Sequence, residues 1–401
     1  MRPVDKDEEL ERIGIALSGG GSRAIAFHLG CLKTLNAYGL IQKSVIMSCV
    51  SGGSVIGALY AVHEGSFEEF EDKVHGLLRE GLVKPSIKTA FTTNEGIRAL
   101  VSWLRLIWVI LWRVVTKIPK WIVGVFLRGV LSINNDASLP YDLPMRFASR
   151  TTLIERTLDR IYFKGATLKD VEKNKVKFVA SATELRTGSA FYFSAFESGC
   201  WRFGKVNPDN ILLAKAVAAS AAYPLFLPAM DETFAFNKSD GSERSDRVTL
   251  TDGGVYDNLG LSHLWPDRDS RISVRMPKPD TIIACRAGYG LRFGRPSIFL
   301  PSRMATSFYT TLDRAQNASI RRLFDLKSAG HLKSVLLPYL GQSDQRLAVI
   351  PAGFVRREEV DAYPTNFNAM PAEWIERLSK RGEQVTLAIL REHRPDLLGG
   401  G

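Results

Sequence analysis

Twice within the first 65 residues an apolar run gives way to a glycine-rich turn and then to a segment of helical period, and this limits the folds open to the chain. Residues 13–17 (IGIAL) lead into Ser18-Gly19-Gly20-Gly21-Ser22-Arg23, and apolar positions then recur at helical spacing through 24–38. Residues 45–50 lead into Ser51-Gly52-Gly53, and 55–62 reads as a second buried helix. Short, wholly apolar strands alternating with helices belong in a parallel sheet covered on both faces. Further buried strands are expected at 176–183 and 281–285, an Ala-rich helix at 211–222 stopped by Pro224, and a terminal helix at about 371–392. The polar stretch 231–247 reads as an exposed excursion, and 134–144, with two prolines, as a loop. The expectation is an α/β chain with a mainly parallel central sheet.

A hydrophobic share of 45% and a charged share of 24% suit a folded chain rather than a disordered or fibrous one. One elaborated domain is expected over 1–401, with an insertion at 84–144 and with 262–401 as the C-terminal part of the same domain. The formal net charge of +11 favours anionic partners. Neither zinc-finger spacing nor an RNP-like aromatic motif is present, so a lipid surface is preferred over nucleic acid. Cys31, Cys49, Cys200 and Cys285 are scattered, without the spacing of a metal site or disulfide scaffold, and are expected as buried thiols. Residues 1–12 are charged and lack an apolar signal core, which gives a cytoplasmic expectation.

Three glycines between a strand and a helix gather backbone N–H groups at a positive helix terminus, a place that binds anions. A dinucleotide cradle would need an acidic residue about 20 residues on. Cys49-Val50-Ser51-Gly52-Gly53 stands there instead, and no Gly-Lys-Ser/Thr follows to make a phosphate loop. An oxyanion hole remains. The second turn places a serine between a strand and a helix, the arrangement of a nucleophile elbow, with Cys49 where that motif usually has glycine. A serine needs a base. His263 or His331 could be cast in that role, but neither sits at a recognisable strand end. Asp252 does, on the apolar run Val248-Thr249-Leu250-Thr251 with Gly253-Gly254 behind it.

Together these three segments resemble, in order, the motifs of the patatin-like phospholipases. Ser18-Gly19-Gly20-Gly21-Ser22-Arg23 resembles the family's oxyanion motif, Val50-Ser51-Gly52-Gly53 its nucleophile motif, and Asp252-Gly253-Gly254 its aspartate motif. Ala182-Thr183-Glu184-Leu185-Arg186-Thr187-Gly188 and the helix 216–224 ending in Pro224 are also similar to family blocks, so the resemblance covers about 12–65 and 177–261. It implies a three-layer α/β/α fold and hydrolysis of acyl esters in phospholipids, lysophospholipids or neutral lipids, as by a phospholipase A or lysophospholipase, with neither metal nor organic cofactor. Ser51 would be the nucleophile and Asp252 its base, with no histidine. Gly19, Gly20 and Gly21 would form the oxyanion hole, Arg23 would neutralise charge or hold that loop, and Gly53, Gly253 and Gly254 would support the turns. A catalytically silent lipid-binding protein on the same fold is the alternative, with Cys49 as the departure from the motif.

Residues 98–131 fall outside the resemblance. They are apolar and rich in tryptophan (Trp103, Trp108, Trp112), but Arg105, Arg113, Lys117, Lys120 and Arg128 interrupt them and Pro119 would kink a helix. At 100° per residue the five cations fall within an arc of roughly 140°. This basic, Trp-rich insertion is expected as a helical hairpin or kinked helix lying at an anionic membrane surface, making the protein a peripheral membrane binder rather than a spanning one.

Overall fold

The computed structural model describes residues 11–131, 145–172, 176–238, 240–268, 276–290, 298–361 and 363–399, with only the backbone described for 113–131 and 172. The expected loop at 134–144 lies outside the described residues. The chain opens with β1 (Ile13–Leu17), α1 (Gly21–Ala37), β2 (Ser44–Val50) and α2 (Gly52–Ala61). Four helices follow: α3 (Phe67–Glu80), α4 (Val83–Thr92), α5 (Asn94–Leu131) and α6 (Arg150–Leu158). After α7 (Leu168–Glu172) come β3 (Phe178–Glu184), β4 (Ser189–Ser194), β5 (Ser198–Cys200) and β6 (Gly204–Val206). Next are α8 (Leu213–Ser220), β7 (Met230–Asn237), β8 (Glu243–Asp252), α9 (Gly254–Asp257) and β9 (Thr281–Cys285). The remainder holds α10 (Leu300–Ser328), β10 (Ser334–Leu336), α11 (Arg357–Val360) and α12 (Ala372–His393).

The ten strands among the described residues form one sheet, and its two halves differ in kind. The order β10-β9-β1-β2-β3 is parallel throughout. From β3 onward, through β4, β5, β6, β7 and β8, every pairing is antiparallel, and β8 returns to pair with β3, closing that half into a barrel-like loop. The expected mainly parallel sheet therefore holds for one half alone. The polar stretch at 231–247 is no excursion but most of the β7–β8 hairpin. Its outward positions are half-wet, so the alternation of a one-sided antiparallel pair masked it as a loop.

The parallel half is covered on both faces. Ile13, Ile15, Leu17, Met47, Cys49, Ile283 and Cys285 share one apolar core with buried residues of α1, α2, α3 and α12. Ala16, Ile46, Ile282 and Ala284 point into a second core, closed by Leu323 and Leu326 of α10. Because β9 is hydrogen-bonded to β1 and α12 packs on α1, residues beyond 265 complete the same sheet and core.

The α1–α12 contact is backbone-close. A Cβ at Gly30 would stand 1.8 Å from the Ser379 carbonyl oxygen, and one at Gly382 would stand 2.1 Å from that of Phe27. Arg381, on the same stretch of α12, has a fully buried side chain and donates to Asp344 Oδ1 (2.7 Å), the Val355 carbonyl (2.9 Å) and the Gln342 carbonyl (2.6 Å). The helix is thus tied to the loops that precede it in the chain.

The 98–131 segment is part of one helix, α5, rather than a hairpin. It packs on α4 and α6. Ile97, Val101, Leu104, Trp108 and Leu111 form an apolar stripe that faces solvent. Among the described residues no helix is long and apolar enough to cross a membrane.

Gly30→Ala tests the close α1–α12 contact. The added methyl has no space that a rotamer change can supply, and the expected loss is about 3 kcal/mol or more in urea unfolding; an unaltered midpoint would mean the helices separate freely.

Candidate active site

The parallel pairing of β1 with β2 carries the first two glycine turns out side by side. Leu17 is paired with Cys49, so the chain leaves both strands at the same level. Gly20 (φ 148°) and Gly21 (φ 61°) adopt backbone angles that side chains resist, which turns the chain sharply into α1. Ser51 does the same without being a glycine. Its φ of 53° is shared, among described non-glycine residues, only by the left-handed Lys164 (φ 51°). That strain is the elbow that lifts the serine side chain off the strand. A Cβ at Gly53 would lie 2.2 Å from the Leu17 carbonyl oxygen and one at Gly52 would lie 2.3 Å from that of Gly21. The two turns are in contact through their backbones.

Cys49, the departure from the elbow motif, is accommodated from the other side. Gly57 on α2 faces it, and a Cβ there would come within 2.4 Å of the Cys49 sulfur. The small residue the motif usually has on the strand is supplied on the helix.

β8 delivers Asp252 beside this serine, paired through β3, where Asp252 is opposite Ala182. Its carboxylate is buried and accepts the Gly254 N–H at 2.7 Å. Burial pushes its pKa from 3.8 up to about 7, against the pull of the Gly254 N–H and of the Ser51 hydroxyl. Gly253, in the same turn, lies where a Cβ would press 2.1 Å from the Ser181 carbonyl oxygen.

Ser51, Asp252, Gly19, Gly20, Gly21, Arg23 and Gly254 all line one pocket of about 480 Å³. The structure separates the roles expected of the first turn. The Gly19 N–H is already spent on the Asn258 carbonyl at 3.0 Å. Among the described residues the N–H groups of Gly20, Gly21 and Gly52 have no protein acceptor; the last two belong to the unsatisfied first turns of α1 and α2. Gly52, which follows the serine directly, was not singled out from sequence as a donor. Arg23 does not offer its charge freely. Its Nε donates to the Ala287 carbonyl at 2.9 Å, another nitrogen faces the Tyr363 carbonyl at 3.4 Å, and the guanidinium lies over Tyr289. It clamps the neighbouring loop.

Two further residues were missed by sequence reasoning. Ser220, the last residue of α8, accepts the Ser51 N–H on its hydroxyl at 3.1 Å, shares a 2.8 Å hydrogen bond with Ser54, and accepts the Gly253 N–H on its carbonyl at 3.2 Å. It braces both turns at once. Asn258 sits between Gly19 and Gly254, filling the space that a Cβ on either would need. Neither makes a pattern visible in one sequence, since each acts through contacts distant along the chain.

The histidines stand elsewhere. None lines the pocket. His263 is buried against Tyr192, within 2.7 Å of the Ser181 hydroxyl, and burial holds its pKa down to about 3. His331 is exposed. The scattered cysteines, by contrast, do meet: Cys31 and Cys285 come together with His28, their ligand atoms within 4.8 Å of one another, in a group that could hold a metal ion. That group lies in the core and none of its members lines the pocket.

The patatin-like phospholipase family model matches residues 15–265, well over half of the chain, and the protein belongs to that family. No curated protein matches it. Among solved structures, human GIVD cytosolic phospholipase A2 is similar with a TM-score of 0.51 and 12% identity, over 99% of this chain and 64% of that one. VipD from Legionella pneumophila is similar with a TM-score of 0.41 and 14% identity, over 96% of this chain and 67% of that one. The chain thus spans about two thirds of the length of either protein, and at this identity the likeness to the human protein is one of fold.

The raised pKa of Asp252 has a consequence for stability. The unfolded carboxyl ionises near 3.8 and the folded one near 7. Between those values unfolding releases a proton, so this group's cost to the fold grows as pH rises from about 4 to 7 and is complete above that. Asp252→Asn removes the cost, and a gain on the order of a few kcal/mol is expected at pH 8 but not at pH 4. Equal effects at both pH values, in urea titrations, would refute it.

Proposed function

We propose that this chain is a lipid acyl-ester hydrolase in which Ser51 is the nucleophile and Asp252 its base. The observation that carries the reading is a serine held at positive φ beside a buried carboxyl whose pKa stands near neutrality, both in one pocket. An ordinary aspartate is too weak a base for a hydroxyl, and a pKa of about 7 brings it to the operating range. Asp252 takes the hydroxyl proton as Ser51 Oγ attacks the ester carbonyl, and the electron pair moves to the carbonyl oxygen. The N–H groups of Gly20, Gly21 and Gly52 are suited to receive that charge, each such donor being worth about 10²–10³ in rate. Collapse expels the alcohol oxygen, which takes the proton from Asp252. Water, deprotonated by the same carboxylate, then attacks the acyl carbon; the acyl–Oγ bond breaks to release the fatty acid, and Ser51 Oγ takes back the proton from Asp252. An alkoxide leaves more readily than an amide nitrogen, so peptidase activity is not expected.

A fluorophosphonate probe tests the nucleophile without a choice of substrate. Labelling of the wild type and its loss in Ser51→Ala is the expected result; labelling of both would assign another serine, and labelling of neither would favour the silent reading.

The lipid reading extends to the surface. Tyr223, Phe226, Leu227, Phe308 and Leu312 give the pocket an apolar lining suited to an acyl chain. The exposed stripe of α5 and the exposed residues Ile298, Phe299 and Leu300 leading into α10 suit peripheral association with an anionic membrane. Replacing Trp103, Trp108 and Trp112 together by alanine is expected to lower flotation with phosphatidylglycerol-containing liposomes about tenfold or more. Undiminished flotation would remove α5 from the membrane-binding surface.

A further inference from the structure

Arg286 is the first residue after β9, and it borders the pocket that holds Ser51. Its backbone is fixed, with its N–H donating to the Pro338 carbonyl at 2.8 Å and its carbonyl accepting the Leu340 N–H at 2.9 Å. Its side chain is differently placed. The residue is only 7% exposed, yet among the described residues its guanidinium makes no hydrogen bond, and Nε is enclosed without a partner. The ring of Tyr339, 4.7 Å away, supports one face of the guanidinium and leaves the donor edge uncommitted. Gly288 keeps the space beside it open, since a Cβ there would stand 3.5 Å from Nε. Asp313, also in the pocket, senses the charge of Arg286 without forming an ion pair with it.

A guanidinium Nε enclosed without an acceptor is costly, and such a group in a folded protein calls for an explanation, of which a ligand is one. Arg23, the arginine of the glycine motif, is already committed to the Ala287 and Tyr363 carbonyls. We infer that Arg286 recognises a phosphate on the alcohol portion of the substrate, which makes the preferred ester a phosphoglyceride rather than a neutral acylglycerol. A planar fork with free N–H groups matches two phosphate oxygens at once. The apolar lining from Tyr223, Phe226 and Leu312 is left for the acyl chain. This inference rests on Ser51 being the nucleophile, because only then does the ester carbonyl lie in the same pocket as Arg286.

The test compares 1-palmitoyl lysophosphatidylcholine with 1-palmitoylglycerol, each in Triton X-100 mixed micelles, so that neither surface carries net charge. Wild type is expected to favour the phosphate-bearing ester in kcat/KM. Arg286→Gln is expected to lower that preference about 10- to 100-fold, the worth of one or two hydrogen bonds to a charged group, and Arg286→Lys to lower it less. Gly288→Val, which fills the space beside Nε while keeping the arginine, should also lower it. Equal losses on both esters in Arg286→Gln and Gly288→Val would overturn the inference and leave Arg286 a pocket-shaping residue. Calorimetric binding of glycerol 3-phosphate and of inorganic phosphate gives an independent arm. Binding of glycerol 3-phosphate by wild type and its loss in Arg286→Gln is expected. Binding of inorganic phosphate with no change in ester preference would mean a free-anion site and would overturn the substrate assignment. If wild type cleaves neither lipid nor p-nitrophenyl butyrate, the hydrolase reading fails, while the calorimetry still decides whether Arg286 holds phosphate.

Discussion

The contact between two backbones, Gly52 against Gly21, is the constraint on which the rest of the site depends. It exists because β1 and β2 run parallel and end level, so that both chains must turn at the same place. Side chains at these positions would drive the turns apart. With none present, the first N–H groups of two helices converge beside one serine, and the positive ends of both helix dipoles reinforce them. Ser220 then ties this pair of turns to the third, the one bearing Asp252, through one hydroxyl and one carbonyl.

The pocket concentrates groups that folding alone would not leave as they are. Ser51 has an unfavourable backbone angle, Asp252 a carboxyl whose pKa is raised to about 7, and, among the described residues, three glycines have N–H groups without acceptors and Arg286 an enclosed Nε without a partner. Each disfavours the fold locally, and the two cores on either side of the sheet offset them. Under the proposed mechanism stability and activity are therefore opposed here for reasons that can be assigned atom by atom.

Much of this was legible in the sequence. The strands at 13–17 and 281–285 read directly because both faces are buried and the runs are wholly apolar. The three glycine turns read because serine and aspartate next to glycine carry a recognisable chemistry, and the family membership agrees with the resemblance they carry. The antiparallel half did not read, since β5 and β6 have three residues each and β7 and β8 are polar on their wet side. Gly19 is set apart from Gly20 and Gly21 because its N–H is taken by Asn258, a partner 239 residues later that no local pattern announces. Ser220, Gly57 and Arg286 were silent for the same reason. The meeting of Cys31 and Cys285 depends on β9 lying against β1, which spacing along the chain does not convey.

The closing of the antiparallel half by β8 has a mechanical meaning. Ser51 stands at the end of a parallel strand and Asp252 at the end of an antiparallel one, and β3 is the strand that pairs with both. The distance between the two side chains is therefore written as a register. A slip of one residue in β8 would carry the carboxylate about 3.4 Å along the sheet and turn it to the opposite face. Three successive pairs between β3 and β8, Ala182↔Asp252, Thr183↔Thr251 and Glu184↔Leu250, hold that register. The β3 strand thus acts as a ruler against which both the serine and the carboxylate are placed, and the eight β7–β8 pairs keep β8 straight along it.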